Sequence, residues 1–442
     1  MERPDILDDV AFAAAVAELF DRRPERMVPD LERMRLLLEL LGEPQRAYPS
    51  LQVTGTNGKT TTATMIAALL GALGLAAGSY TSHLQDVRER IRVATEPIGR
   101  AELAARLSEL APYLAEVDRR GPQRVTFFEV LTALAVAHFA DVPVDVGVFE
   151  VGMGGTWDAT NLVRGEVGVL LPVGLDHPEL GSTITEVAAE KAGIIKDGAI
   201  AVSAEQPPDA AAVIAATAER RGAQLMVEGR DFAVQDRVRA VGGQQLTLRG
   251  VTGTVEEVFL PLHGAHQARN AACALAAVEG FLGFAGGLDA DVLREGFSSV
   301  RSPGRLEPVR PDQEGPMFLL DGAHNPDGAR ALAQAVEGEF RFRRRVLVLG
   351  VLGDKDVEAI CTALAPVAPH VVVTEPPSPR AAPADRVATA MRDEGASVEV
   401  AQDVPEALEL AGGHLGPSDG VVVTGSLYTV GAARDALGLP VT

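Results

Sequence analysis

Lysine is nearly missing from this chain: Lys59, Lys191, Lys196 and Lys355 stand against 36 arginines. Arginine therefore carries most of the positive charge, and a lysine inside a glycine-rich or motif-like segment marks a need for the compact ammonium. Cysteine is scarce too. Cys273 and Cys361 lie far apart in apolar helical patterns, without metal-ligand spacing, and read as buried free thiols of a reducing cytoplasm. Basic charge is in deficit, with a formal net charge of −21, and the one basic run, Arg341 to Arg345, reads as a solvated helix end. This balance argues against nucleic acid or a membrane surface as a partner. No apolar run reaches the roughly 18 residues that span a bilayer, and the acidic start, Met1 to Asp9, lacks the basic and apolar regions of a signal peptide. A soluble cytoplasmic protein is expected, with no internal repeat and no low-complexity tail.

What the chain does have is bulk and apolar content. Its 442 residues at 47% hydrophobic suffice for two or three domains with large cores. The rest is organised around positions 51 to 62. An apolar run with Leu51 and Val53 passes through Gly55 and Gly58 into Lys59, Thr60, Thr61 and Thr62, and a helical pattern follows with Met65, Ile66, Leu69, Leu70 and Leu73 on one face. Strand, loop and helix in that order turn backbone N–H groups and a helix N-terminus toward one concavity. An anion, most plausibly a nucleotide's phosphates, fits there with Lys59 on it, and Thr60 and Thr61 offer hydroxyls. The common phosphate loop spaces its glycines more widely, so this is a shorter variant.

Helical patterns over residues 9–21 and 29–41 lead into that loop, and others run over 100–117 and 127–139. Val144 to Glu150 reads as a buried strand with a carboxylate at its carboxyl end, where ligands collect in doubly wound sheets. Glu150 is thus placed like the acidic residue that holds Mg²⁺ beside a phosphate loop. Ser82 sits in a loop after a short strand, Ala77 to Tyr80, and serves either as a ligand or as a turn former. Gly168 to Leu175 reads as a further strand, parallel to the one before it and ending in Asp176-His177; structural and metal-binding roles for His177 weigh about equally. Thr183 and Glu186 form a capping box for a helix that runs to Lys191, whose place in a last turn is also what the helix dipole favours. Strands and hairpins occupy 200–260, and a helix starts near Gly264. Beyond Pro303-Gly304-Arg305, five strands alternate with helical patterns, as in a second parallel α/β sheet whose first strand ends in Asp321-Gly322-Ala323-His324-Asn325-Pro326. Two α/β lobes, one with a phosphate loop, suit a reaction that encloses several substrates away from water.

These motifs occur in a familiar order. Thr54 to Lys59, Glu150 to Gly155, Asp158 to Asn161, Asp176-His177, Glu190 to Ile195, His266-Gln267 with Asn270, Pro303-Gly304-Arg305 and Asp321 to Pro326 together resemble folylpolyglutamate synthase and dihydrofolate synthase of the Mur ligase superfamily, over roughly residues 30 to 430. The resemblance implies a P-loop-type doubly wound parallel sheet in the N-terminal domain, residues 1–301 with the helical lead-in, and a smaller Rossmann-like α/β domain over 302–442. It implies ATP-dependent joining of L-glutamate to a folate or dihydropteroate carboxylate, with ATP and Mg²⁺ as cofactors, small molecules as the partners and a monomeric enzyme. On that resemblance Thr56, Asn57, Gly58, Lys59, Thr60, Thr61, Asn270, Arg305, Asp321 and His324 grip the nucleotide. Ser82, Glu150 and His177 hold the metal. Lys191 matches a lysine that is often carbamylated, and Lys59, Lys191 and His177 form the catalytic set. Thr126, Phe128 and Glu129 match the segment near the pterin. Two positions depart from the family pattern: Thr156 stands where arginine is usual, and the loop between His177 and Gly181 is one residue shorter, and both bear on which acid is accepted.

Overall fold

Runs of buried β-branched residues build two parallel sheets, each covered by helices on both faces, as strands without a polar side require. The computed structural model describes residues 6–23, 28–284 and 286–441; the chain start read for a signal peptide lies outside these up to Asp5. Among the described residues the first sheet has eight strands: β1 (Ser50–Thr54), β2 (Ala77–Tyr80), β3 (Ile91–Val93), β4 (Glu96–Pro97), β5 (Val146–Glu150), β6 (Val167–Leu170), β7 (Ile200–Ser203) and β8 (Gln224–Val227). Their order is β4-β3-β2-β5-β1-β6-β7-β8, parallel except for the antiparallel β2-β3-β4 edge. β1 pairs in parallel with β5 on one side and β6 on the other. The winding therefore reverses at β1, and the carboxyl ends of β1, β5 and β6 open the crevice in which doubly wound sheets take their ligands.

Among the described residues, nine helices accompany this sheet: α1 (Ile6–Asp21), α2 (Glu32–Leu40), α3 (Lys59–Ala72), α4 (Arg100–Arg120), α5 (Phe127–Asp141), α6 (Ile184–Lys191), α7 (Pro208–Arg220), α8 (Ala265–Phe281) and α9 (Ala290–Ser299). α1, α2, α4 and α5 cover one face, with Phe139 and Phe149 at its centre. α3, α8 and α9 cover the other, together with a small antiparallel sheet of β9 (Ala233–Ala240), β10 (Gly243–Arg249) and β11 (Thr254–Leu260). A second sheet, β12 (Glu307–Val309), β13 (Met317–Leu320), β14 (Arg345–Leu349), β15 (His370–Val373), β16 (Ser397–Val400) and β17 (Gly420–Thr424), runs β12-β13-β17-β14-β15-β16, with only β12 antiparallel. Its helices are α10 (Pro326–Glu339), α11 (Val357–Leu364), α12 (Ala384–Asp393), α13 (Val404–Gly412) and α14 (Leu427–Ala436). The α/β class and the two parallel sheets expected from the alternation of patterns are what the chain forms.

Several local expectations differ. The strand read over 168–175 ends at Leu170. Leu171 still donates its N–H to Thr54, but Pro172 has no N–H to continue a ladder, and its carbonyl instead accepts the N–H of Thr56 at 3.0 Å. The Arg341–Arg345 run is a solvated helix end only at Arg341, which donates to the Glu337 carbonyl at 3.0 Å. α10 stops at Glu339, and Arg343 and Arg344 turn onto the fully buried Asp419, the Arg344 guanidinium lying 2.7 Å from its carboxylate. Arg345 already belongs to β14. α7, α9, α14 and β12 go unread by periodicity; α9, for example, buries only Leu293, Gly296 and Phe297, and β12 is three residues long.

The turn from β1 into α3 is fixed by backbone shape. Gly55 has φ +147°, and a Cβ there would lie 2.6 Å from that of Leu171, just past the neighbouring strand β6. Gly55→Ala should therefore lower the unfolding free energy by about 1–3 kcal/mol, read as an earlier urea midpoint; an unchanged midpoint would show that the loop relaxes without cost.

Candidate active site

α3 begins at Lys59 behind Gly58, whose φ is +87°, and no side chain caps it. Its N-terminus thus opens on a cavity of about 320 Å³ between the two sheets. Thr56, Asn57, Gly58, Lys59, Thr60 and Thr61 line the cavity from the first sheet, with Ser82 and Glu150 from the ends of β2 and β5, His177 from the loop after β6 and Asn270 from α8. Arg305, Asp321 and His324 line it from beyond the junction. The structure therefore brings the expected nucleotide and metal residues to one place.

Inside it, Glu150 is the hub of the oxygen donors. Its carboxylate accepts from the Thr60 hydroxyl at 3.0 Å and from the Ser82 N–H at 2.8 Å, and the two hydroxyls lie 2.8 Å apart. A carboxylate beside two hydroxyls is a hard-oxygen donor set that fits Mg²⁺. His177 lines the same space but turns its Nε2 toward Asp176, 3.4 Å away. The Thr61 hydroxyl is engaged by Ser302 at 3.0 Å, so of the two threonines only Thr60 faces the carboxylate. The Lys59 ammonium folds back on its own loop, donating to the carbonyls of Gly55 and Thr56 at 3.0 Å each. Lys191, 4% exposed, donates to the same Gly55 carbonyl at 3.0 Å and lines a small neighbouring pocket with Gly154 and His177.

The electrostatics follow from burial and crowding. Burial pulls the Lys59 ammonium below its ordinary value, and Arg305 and Lys355 add to this against the pull of Glu150 and Asp176. Burial, then Lys59, lowers Lys191 to about 7. His177 falls to about 4 through burial and Lys355, and His324 to about 4 chiefly through burial. His324 Nδ1 lies 2.7 Å from the Gly322 carbonyl. Donation to that carbonyl leaves Nε2 as an acceptor. Asp321 is pushed by burial up to about 6 against the Arg305 charge, while its oxygens accept the N–H groups of Leu306 at 2.8 Å and Ala323 at 2.9 Å.

A second cavity, also about 320 Å³, shares Ser82, Glu150, Gly152 and His177 with the first and is lined by Thr126, Phe128 and Glu129. Thr126 and Glu129 are also a capping box that starts α5, and Glu129 forms a buried ion pair with Arg33, 3.1 Å. Arg33, Arg90, Trp157 and Asp158 also line it; of these only Asp158, in the Asp158–Asn161 motif, was singled out from the sequence. The pairings that join the two halves of the first cavity were not read from the sequence. Asp176 pairs with Lys355 at 2.8 Å, both buried, and Asn57 exchanges hydrogen bonds with Asn325 at 3.2 and 3.0 Å. Burial would raise Asp176, but His177, Lys355 and His324 outweigh it and hold the carboxyl at about 2. The scarcity of lysine was the signal for Lys355, which follows the carboxyl end of β14 in Gly-Asp-Lys-Asp.

Residues 53–278 match the Mur ligase middle domain, and residues 304–427 match the glutamate ligase domain of Mur ligases. The dihydrofolate synthase/folylpolyglutamate synthase of Mycobacterium tuberculosis is 45% identical over 466 residues, covering 98% of this chain and 95% of that protein. The solved structure of Mycobacterium tuberculosis folylpolyglutamate synthase complexed with ADP superposes with a TM-score of 0.93 at 43% identity, covering 98% of this chain and 100% of that one. A solved FPGS-AMPPCP-folate complex superposes at 0.83 and 34% identity, over 96% and 99% of the two chains. With such identity along nearly the whole length, the chain belongs to the folylpolyglutamate synthase/dihydrofolate synthase family of Mur ligases.

Proposed function

We propose that the protein is an ATP-dependent ligase that joins the amino group of L-glutamate to a folate or dihydropteroate carboxylate through an acyl phosphate, releasing ADP and phosphate. The observation that carries this reading is the pair of cavities meeting at one wall, Ser82, Glu150, Gly152 and His177, with the phosphate loop on one side and Thr126 and Phe128 on the other. On this reading ATP occupies the first and the pteroate or folate the second, as lobes 1–301 and 302–442 close over them. The acceptor carboxylate takes the γ-phosphoryl group, and ADP leaves. The glutamate nitrogen then attacks the acyl carbon, the C–N bond forms, phosphate departs with the C–O pair, and the nitrogen gives up its proton. A closed cleft serves both steps, because an acyl phosphate open to water would hydrolyse.

Each residue has a task in that sequence. Lys59 leaves the carbonyls of its own loop to hold the β- and γ-phosphates, joined by the N–H groups at the start of α3. Asn270, Arg305, Asp321 and His324 grip the rest of the nucleotide from α8 and the second lobe. Ser82, Glu150 and His177 hold Mg²⁺, which when bound neutralises charge on the transferred phosphoryl group. Lys191, with its amine near 7, is the group able to take up CO₂ as a carbamate and carry negative charge to that centre. The enzyme works as a cytoplasmic monomer on small molecules.

Lys59→Ala should leave a folded protein whose glutamate-dependent ADP release falls by about 10²–10³-fold; near-normal turnover removes the loop from the mechanism. The acceptor is tested by product mass with ATP, glutamate and a panel of pteroate, dihydropteroate, folate, tetrahydrofolate and non-folate acids. Glutamylated folate or pteroate is expected, and ligation of only a non-folate acid would overturn the assignment. Lys191 links the site to pH. Its folded value of about 7 lies below the ordinary 10.5, so between these the unfolded chain binds more proton and stability rises with pH, the cost being fully present below about 7. In CO₂-free buffer, wild type should therefore gain in urea midpoint over Lys191→Met between pH 7 and pH 9, and parallel curves would refute the lowered value.

A further inference from the structure

Two helices flank the nucleotide cavity, and a single carboxylate ties them together at a distance from the reacting groups. α10 starts beside the phosphate loop, where its capping Asn325 is bonded to Asn57. At its other end, about 20 Å away at 1.5 Å per residue, Glu339 accepts the N–H of Gly264 at 2.9 Å. Gly264 is the residue from which α8 starts. α8 then returns to the cavity, where Asn270 packs so closely on Gly58 that a Cβ there would lie 2.8 Å from its amide oxygen. The contacts close a ring: loop, Asn325, α10, Glu339, Gly264, α8, Asn270, loop.

Glu339 is built for that place. Its side chain is 6% exposed, paired with Arg237 of β9 and 3.4 Å from His263. Gln244 of β10 holds the same turn from the opposite side, donating to the carbonyls of Leu262 at 2.9 Å and Gly264 at 3.2 Å. The start of α8 is thus held between the small antiparallel sheet and the last residue of α10, which belongs to the other sheet's layer.

We propose that Glu339 is a positioning residue: through the Gly264 N–H it sets the placement of α8 against α10, and with it the shape of the nucleotide cavity. This rests on the nucleotide reading given above. When the second lobe moves, α10 carries Glu339 with it, so the side of the cavity formed by α8 is assembled only when the lobes are in register.

The test titrates an ATP analogue with Mg²⁺ into wild type and four variants, and measures KM for ATP and kcat beside it. Glu339→Ala, and Glu339→Asp, whose carboxylate falls a methylene short of Gly264, should weaken nucleotide binding and raise KM by about tenfold with kcat at saturating ATP little changed. Glu339→Gln, whose amide oxygen still accepts the Gly264 N–H, should recover to within about threefold. Arg239→Ala removes a neighbouring contact of the same junction, to the Gly338 carbonyl, and should bind like wild type. Binding by Glu339→Ala and Glu339→Asp within about twofold of wild type, or an equal loss in Arg239→Ala, overturns the inference alone. A wild type that takes up no nucleotide overturns the nucleotide reading, and the inference with it.

Discussion

Four positive side chains, Lys59, Lys191, Lys355 and Arg305, converge on a cleft from which much of the water is withdrawn, and the rest of the site answers to that crowding. Lys59 lowers Lys191, Arg305 and Lys355 lower Lys59, and Lys355 lowers His177 and His324. The carboxylates of Glu150 and Asp176 offset only part of this, and Asp321 is itself drawn toward neutrality by burial. Such a cleft is strained toward losing protons or gaining anions. On the function proposed above, a triphosphate with its divalent cation would supply the missing negative charge, and its binding would relieve a repulsion that the folded chain carries alone. The Lys59 ammonium, resting on two carbonyls of its own loop, has a local partner in the meantime.

That arrangement draws on both sheets, and the manner of its assembly explains what the residues alone revealed. The phosphate loop, Glu150 and the capping boxes are local: each is a short segment whose function follows from the strand before it or the helix after it. Asp321 and His324 were legible for the same reason, at the end of a strand that alternation marked plainly. The Asp176–Lys355 pair joins residues 179 apart, Asn57 and Asn325 are 268 apart, and Thr61 and Ser302 are 241 apart. No periodicity or spacing reports on such pairs, because their partners are chosen by how the sheets face one another.

The misread strand shows the opposite limit, where a local pattern says too much. Gly168 to Leu175 is apolar throughout, yet the ladder stops before Pro172 because proline has no N–H to give. The early stop frees the chain to turn, and it brings Gly174 against the Thr56 hydroxyl and Asp176 within reach of Lys355. His177 follows directly and lines both cavities.

The shared wall of the two cavities also constrains where chemistry can occur. Ser82, Glu150, Gly152 and His177 are the residues common to both linings. On the function proposed above, a phosphoryl group passed from one cavity to a carboxylate in the other would cross there, beside the Ser82 and Glu150 oxygens. Gly152 contributes the opening, since a Cβ at that position would lie 2.5 Å from the Phe128 ring. A side chain at 152 would therefore compete with the ring that lines the second cavity. Glu129, which lines the second cavity, is committed to Arg33 and the α5 cap. If that cavity takes the acid, as proposed above, a free carboxylate there would repel it, and the pairing with a buried arginine offsets that repulsion.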